Sequence, residues 1–232
     1  MSQPTVVLVH GAFADASSYG PVIPQLLEDG IRVVAPAVPN RSLNGDAAAV
    51  SSVLARIEGP VVLVGHSYGC AVATVAGVAP NVETLVYLAG FVPDEGEALG
   101  ALQERFAPSD LATALVPTPI PDGVDLTVDV DKFASVFAAD VDPATAAVLA
   151  VTQRPLTGAA FGEPAAAAAW RTKPAWGVVA TQDHTINPDV QRYGYRRAGV
   201  SAIEVDSSHL VMIAQPTVVV DLIRKAVTSV AD

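Results

Sequence analysis

Along the chain, short uninterrupted apolar runs alternate with longer stretches of mixed character. The runs over residues 5–10, 31–35, 61–65, 83–88, 175–180 and 202–205 have the length of strands and are rich in Val, Leu and Ile. They are continuous rather than alternating. A strand that is apolar on both faces is one covered by helices on both sides, as in parallel sheets. Between these runs, residues 19–28, 46–57, 68–78, 188–197 and 217–229 carry helical patterning, with Asp46 placed to cap the second of them. Strands and helices therefore alternate, which predicts an α/β fold built on a mostly parallel sheet with right-handed crossovers.

Residues 91–173 interrupt that rhythm. They are rich in Pro, Ala and Asp, with helical fragments at 97–106, 131–139 and 143–153 and only a weak strand signal at 124–130. The alanines at 165–169 read as a helix segment rather than a linker. A structureless connection of this length is foreign to a compact domain. The pattern instead predicts a core of residues 1–90 and 174–232, with residues 91–173 inserted as a helical lid. No internal repeat is visible.

Composition narrows the partners. At 232 residues the chain is long enough to bury a sizeable core without metal or disulfide. Its net charge of -11 argues against nucleic acid or an anionic membrane, both of which call for a basic patch. Arg192, Arg196 and Arg197 form the only basic cluster and read as a solvated helix face. A single cysteine excludes an internal disulfide framework and fits a reducing compartment. The first residues carry neither the charge nor the apolar length of a signal peptide, and no segment reaches the roughly 20 apolar residues of a membrane span. A soluble, cytoplasmic protein is expected, as a monomer or a homodimer.

The chemistry concentrates in Gly65-His66-Ser67-Tyr68-Gly69, which links the apolar run 61–65 to a helix of small residues. Strand, Gly-x-Ser-x-Gly and helix in that order form a nucleophile elbow: a strained bend lifts the serine hydroxyl off the sheet edge, and two glycines make room for it. A serine hydroxyl needs a positioned base. His209, between the last strand and the last helix, stands where the order serine, acid, histidine puts that base. Asp183, directly after the run 175–180, is the first choice for the acid, and Asp94 competes with it. Asp206 lies too near His209 in the chain to reach the far side of its ring. The developing oxyanion needs fixed donors. The amides of Tyr68 and Ala12 are the expected pair, with Phe13 second to Ala12, because Gly11 lets the loop after the first strand turn towards Ser67. His10 and His66 are expected to shape the walls of the site. The four histidines lack metal-ligand spacing, and Cys70 reads as a small buried thiol.

Taken together, His10-Gly11-Ala12-Phe13, Gly65-His66-Ser67-Tyr68-Gly69, Asp183 with Thr185-Ile186-Asn187-Pro188, and Ser207-Ser208-His209 resemble the α/β-hydrolase superfamily, in particular small bacterial esterases related to plant methyl-ester esterases and hydroxynitrile lyases. The likeness runs from Val6 to the last helix. It implies a cofactor-free, metal-free site of Ser67, His209 and Asp183 under a helical cap, with oxyanion amides at Ala12 and Tyr68. The chain opens on the strand feeding the His-Gly loop, so the likeness implies about six parallel strands without the superfamily's antiparallel first hairpin. Ser67 excludes the aspartate chemistry of related dehalogenases and epoxide hydrolases. The lyases of this group carry lysine after the catalytic histidine; here that position is Leu210. The expected activity is therefore hydrolysis of a small hydrophobic ester, thioester or lactone, with Phe13 and Phe91 contributing to the pocket. The rival from another class is a ligand sensor that keeps the triad and turns over little.

Overall fold

In the computed structural model, which describes residues 3–231, the first apolar run forms β1 (Thr5–Val9), buried at every position. A 3₁₀ turn at Ala16–Tyr19 precedes helix α1 (Ile23–Glu28). The single helix expected over 19–28 is divided because Gly20 and Pro21 interrupt it, and the second part restarts with proline in its first turn. The chain continues through β2 (Arg32–Val34), α2 (Leu43–Leu54), β3 (Val61–His66), α3 (Tyr68–Ala76) and β4 (Val82–Leu88). Helix α2 starts three positions before the expected Asp46. Its cap is Ser42, whose side chain accepts from the Gly45 amide at 3.2 Å. Asp46 is turned inward instead, where its carboxylate accepts from the Tyr68 hydroxyl at 2.7 Å.

After β4 come α4 (Leu99–Gln103), β5 (Leu115–Ile120), β6 (Gly123–Val128), α5 (Val130–Phe137), α6 (Pro143–Val151), β7 (Leu156–Thr157) and α7 (Ala159–Gly162). Helices α4, α5 and α6 correspond to the three expected helical fragments, and α7 is an addition to them. In addition, β5, β6 and β7 make an antiparallel three-stranded sheet, of which the sequence hinted only at β6. Pro117 and Pro119 hid β5. Spaced by two on an edge strand, both rings point their missing N–H to the unpaired side. The alanines at 165–169 are not an α-helix. Ala165 exchanges backbone hydrogen bonds with Gly96 and Glu97, and the Ala166 amide donates to Asn44 Oδ1 at 3.0 Å, so the segment is held by partners distant in sequence.

The chain then adds β8 (Ala175–Ala180), α8 (Pro188–Arg197), β9 (Ser201–Val205), α9 (Val211–Ala214) and α10 (Pro216–Ala231). Six strands form one parallel sheet in the order β2-β1-β3-β4-β8-β9. Its central strands β1 and β3 are buried throughout, while β2 and β9 form the exposed edges. Helix α3 packs on β1, β3 and β4, α2 lies over α3, and α10 covers β3, β4 and β8. From β1 the chain moves outward to β2, then returns past β1 to β3. The direction of growth thus reverses between β1 and β3, the kind of switch point at whose carboxyl ends open α/β sheets form their ligand crevices. The His10–Phe13 loop and the Ser67 bend leave the sheet at that point.

Candidate active site

Ser67 occupies the bend between β3 and α3 with φ 56° and ψ -123°, a backbone conformation that L-residues rarely adopt. The two glycines are obligatory for steric reasons. A Cβ on Gly65 would stand 2.4 Å from the Gly69 carbonyl oxygen, and one on Gly69 would stand 2.4 Å from the Val9 oxygen. Gly11 is equally confined, since a Cβ there would come within 2.8 Å of the Ser67 Cβ. The His10–Phe13 loop and the serine are therefore in van der Waals contact. Ser67 is 4% exposed and its hydroxyl makes no hydrogen bond among the described residues.

His209 is fully buried, and its Nδ1 lies 2.7 Å from Asp183 Oδ2. The rest of the Asp183 carboxylate is also occupied: Oδ1 accepts from the Thr185 and Ile186 amides at 2.7 and 2.9 Å, and Oδ2 also accepts from Gln191 Nε2 at 2.7 Å. Four donors fix the carboxylate in one orientation, which in turn requires His209 to carry its proton on Nδ1. The opposite ring nitrogen, Nε2, is buried and has no protein partner. Asp94 stands elsewhere, paired with Arg171 at 2.8 Å, which holds its carboxyl below the usual carboxylate range.

The remaining histidines are tied down. His66 Nε2–H donates to the His209 carbonyl at 2.9 Å, and the two rings lie 4.7 Å apart. Burial, and then the neighbouring His209, push His66 well below the ordinary imidazole range. His10 Nδ1–H donates to the Gly11 carbonyl and Nε2 accepts from the Val38 amide, both at 2.9 Å; burial lowers its pKa as well. His184 is exposed and pairs with Asp110 at 2.7 Å. Cys70 is buried with its thiol on the Gly65 carbonyl at 3.0 Å, and burial pushes its pKa far up, so it is not a thiolate.

Of the expected oxyanion amides, those of Ala12 and Tyr68 donate to no carbonyl among the described residues, whereas the Phe13 amide is taken up by the Arg154 carbonyl at 3.1 Å. Phe13 adopts φ 60° and packs edge-on to Phe137 with ring centroids 6.1 Å apart. Phe91 is buried just beyond β4 but makes no ring contact with these groups.

Residues 6–222 match the sequence model of the Alpha/beta hydrolase family. The chain belongs to that family. A carbendazim hydrolyzing esterase from Nocardioides sp. (strain SG-4G) is 36% identical over 124 residues, which are 47% of this chain and 51% of that protein. The match thus covers about half the length of the curated relative. Solved structures share the fold at lower identity. A pyrethroid hydrolase from Sphingobium faniae JZ-2 superposes with a TM-score of 0.79 at 22% identity, covering 97% of each chain. Polyneuridine aldehyde esterase does so with a TM-score of 0.83 at 19% identity over 100% of both.

Two side chains of this α/β hydrolase, Gln191 and Asp140, escaped sequence reasoning, and a third, Phe137, is in the sequence only one of several aromatics able to line a pocket. Gln191, fully buried on α8, holds Asp183 through Nε2 while its Oε1 accepts from the Ala180 amide at 3.1 Å. Phe137, on α5 of the insertion, sets its ring edge-on against His209 with centroids 4.7 Å apart. Asp140, just after α5, accepts from both the Ser208 amide, at 2.9 Å, and the Ser208 hydroxyl, so the insertion grips the residue next to His209. Nothing in local pattern marks the last two: they reach the site only because the insertion folds back over it. Gln191, eight positions after Asp183 on an amphipathic helix, was the one with a findable signal. No helix among the described residues is long and apolar enough to cross a membrane.

Proposed function

We propose that the protein is a cofactor-independent serine esterase that cleaves a small hydrophobic carboxylic ester, thioester or lactone through an acyl-enzyme. One observation carries this reading: a serine strained to φ 56° at the crevice of the sheet, beside a fully buried Asp183–His209 pair whose second imidazole nitrogen is free. In this reading His209 Nε2 takes the Ser67 proton as Oγ bonds to the carbonyl carbon. The amides of Ala12 and Tyr68 receive the oxyanion, and Asp183 stabilises the imidazolium. Collapse breaks the bond to the leaving alcohol or thiol, which departs with the proton from His209. A water molecule then gives a proton to His209 and attacks the acyl carbon; collapse breaks the Oγ–C bond, His209 returns the proton to Ser67 Oγ, and the carboxylic acid is released. The hydroxyl and Nε2 are not hydrogen-bonded without substrate; such contacts commonly tighten only in the bound complex.

Residues 91–173 serve as a cap in this scheme, with Phe13, Phe91 and Phe137 forming an apolar wall for the acyl or alcohol part. A net charge of -11 and a single buried cysteine support a cytoplasmic enzyme acting on neutral small molecules. The esterase and hydrolase names of the similar proteins support the same reaction class. Buried Leu210 after His209 offers no cation for a cyanide leaving group, which favours hydrolysis over lyase chemistry. The test is p-nitrophenyl acetate turnover by wild type and Ser67→Ala, with kcat expected to fall on the order of 10⁶-fold. Near wild-type turnover by the variant removes the assignment; a wild type that never completes a second turnover points to the sensor instead.

A further inference from the structure

Asn40, in the loop after β2, is fully buried, yet neither its Nδ2 nor its Oδ1 has a hydrogen-bond partner in the protein. Among the described residues no other side chain leaves two polar atoms buried in this way. Such an amide weakens the fold unless something completes it. Its backbone is left-handed, at φ 59°, which asparagine tolerates better than most residues.

The loop around Asn40 is anchored to both halves of the oxyanion site. On one side the Val38 amide donates to His10 Nε2 at 2.9 Å, and His10 in turn holds the Gly11 carbonyl. On the other, the Arg41 amide donates to Asp46 Oδ1 at 3.2 Å, while Asp46 Oδ2 accepts from the Tyr68 hydroxyl. The circuit closes where Gly11 touches Ser67, the residue before Tyr68. Two residues of chain span at most about 7 Å, so Asn40 stays within a small molecule's length of these anchors. Its carbonyl also accepts from the Thr157 amide of β7, which ties the same loop to the insertion.

We propose that Asn40 is a specificity residue that recognises the substrate beyond its scissile carbonyl. The inference rests on the esterase reading of Ser67. An unmet N–H and an unmet oxygen on one planar amide complement a neutral group carrying its own C=O and N–H. The substrate class is therefore an ester that bears a secondary amide or carbamate near the reacting carbonyl. A plain alkyl ester leaves both atoms unpaired. A carboxylate would use only the donor, and would meet no positive charge on this side chain.

Three p-nitrophenyl esters of matched length separate the contributions: N-acetylglycine supplies donor and acceptor, levulinic acid the acceptor alone, and pentanoic acid neither. Asn40→Gly removes the amide while keeping the left-handed backbone free of strain, and Asn40→Ala repeats the truncation with a Cβ. For Asn40→Gly, kcat/KM is expected to fall roughly tenfold on the N-acetylglycine ester, less on the levulinate and least on the pentanoate, with Tm equal to or above wild type. Equal losses on all three esters overturn the proposal. So does a wild type that prefers the pentanoate, or one that cleaves p-nitrophenyl acetate but not the N-acetylglycine ester. A clear drop in Tm, or failure of both variants to fold, also overturns it, because it makes the amide a structural group completed by a bridging water. Ser67→Ala measured alongside keeps the two readings apart. Its survival would remove the esterase assignment, whereas equal losses at Asn40 with Ser67→Ala inactive would remove only this proposal.

Discussion

The free Nε2 of His209 shows how backbone and side-chain constraints meet in single residues. A buried imidazole nitrogen without a partner is unfavourable, and the rest of the site is arranged so that it stays that way. Asp183 fixes Nδ1 and Phe137 presses on the ring. The carbonyl of His209 itself is held by His66. Ser67 adds a strained dihedral that the surrounding glycines permit. That dependence is testable on stability alone. Gly69→Ala forces a Cβ to 2.4 Å from the Val9 backbone oxygen at the carboxyl end of buried β1, where nothing flexible can yield. It is expected to destabilise by about 3 kcal/mol or more, read as a large loss of Tm. Gly162→Ala meets nothing within 4 Å and should leave Tm within a degree or two. Similar losses for both substitutions would mean that the close approach at the elbow is not real.

At the scale of elements, residues 91–173 reach across to the loops at the strands' carboxyl ends. Helix α5 and the residues after it touch the loops around Asp183, His209 and Phe13: Val136 O accepts from the Thr185 hydroxyl beside Asp183, Asp140 holds Ser208 beside His209, and Arg154 O accepts from the Phe13 amide. In the proposed mechanism Asp140, through Ser208, is a positioning residue for His209. Asp140→Ala is expected to lower kcat roughly tenfold with little change in KM, because the base loses its placement while the pocket keeps its walls. Asp140→Asn, whose remaining oxygen still accepts from the Ser208 amide, should recover most of the loss. A KM effect without a kcat effect, or no recovery by asparagine, would contradict that role. The element scale is also where sequence patterning was least informative. Strands β1, β3, β4 and β8 are continuous apolar runs and declare themselves. Edge strand β5, with Pro117 and Pro119, does not, because its prolines satisfy an edge rather than a propensity. The displaced start of α2 has a similar origin, since Asp46 was claimed by Tyr68 across the fold and left the cap to Ser42.

Over the whole molecule, buried neutral histidines couple stability to pH. His10 accepts a hydrogen bond at Nε2 and His66 is pressed against His209, and burial lowers the pKa of both in the fold. The unfolded chain takes up protons on these rings as pH drops below about 6.5, while the folded chain resists doing so. Stability from this source is therefore full above pH 6.5 and declines as pH falls through the window beneath it, by at most about 1.4 kcal/mol per pH unit for each ring. Urea midpoints measured from pH 7.5 to pH 5 should decrease; a flat profile would show that both rings protonate freely in the folded state. The same scale divides what could be read in one dimension from what could not. Continuous apolar runs, glycine spacing around Ser67 and the order of Ser67, Asp183 and His209 are local or ordinal properties, so the parallel sheet, the elbow and the choice of candidate residues were already visible in the chain. Which acid faces His209, which amides stay unpaired, and how Asp140 and Phe137 reach Ser208 and His209 while Asn40 meets Thr157 depend on contacts between segments up to a hundred residues and more apart. Those contacts exist only once burial of the sheet has set the distances between its loops, and no local pattern encodes them.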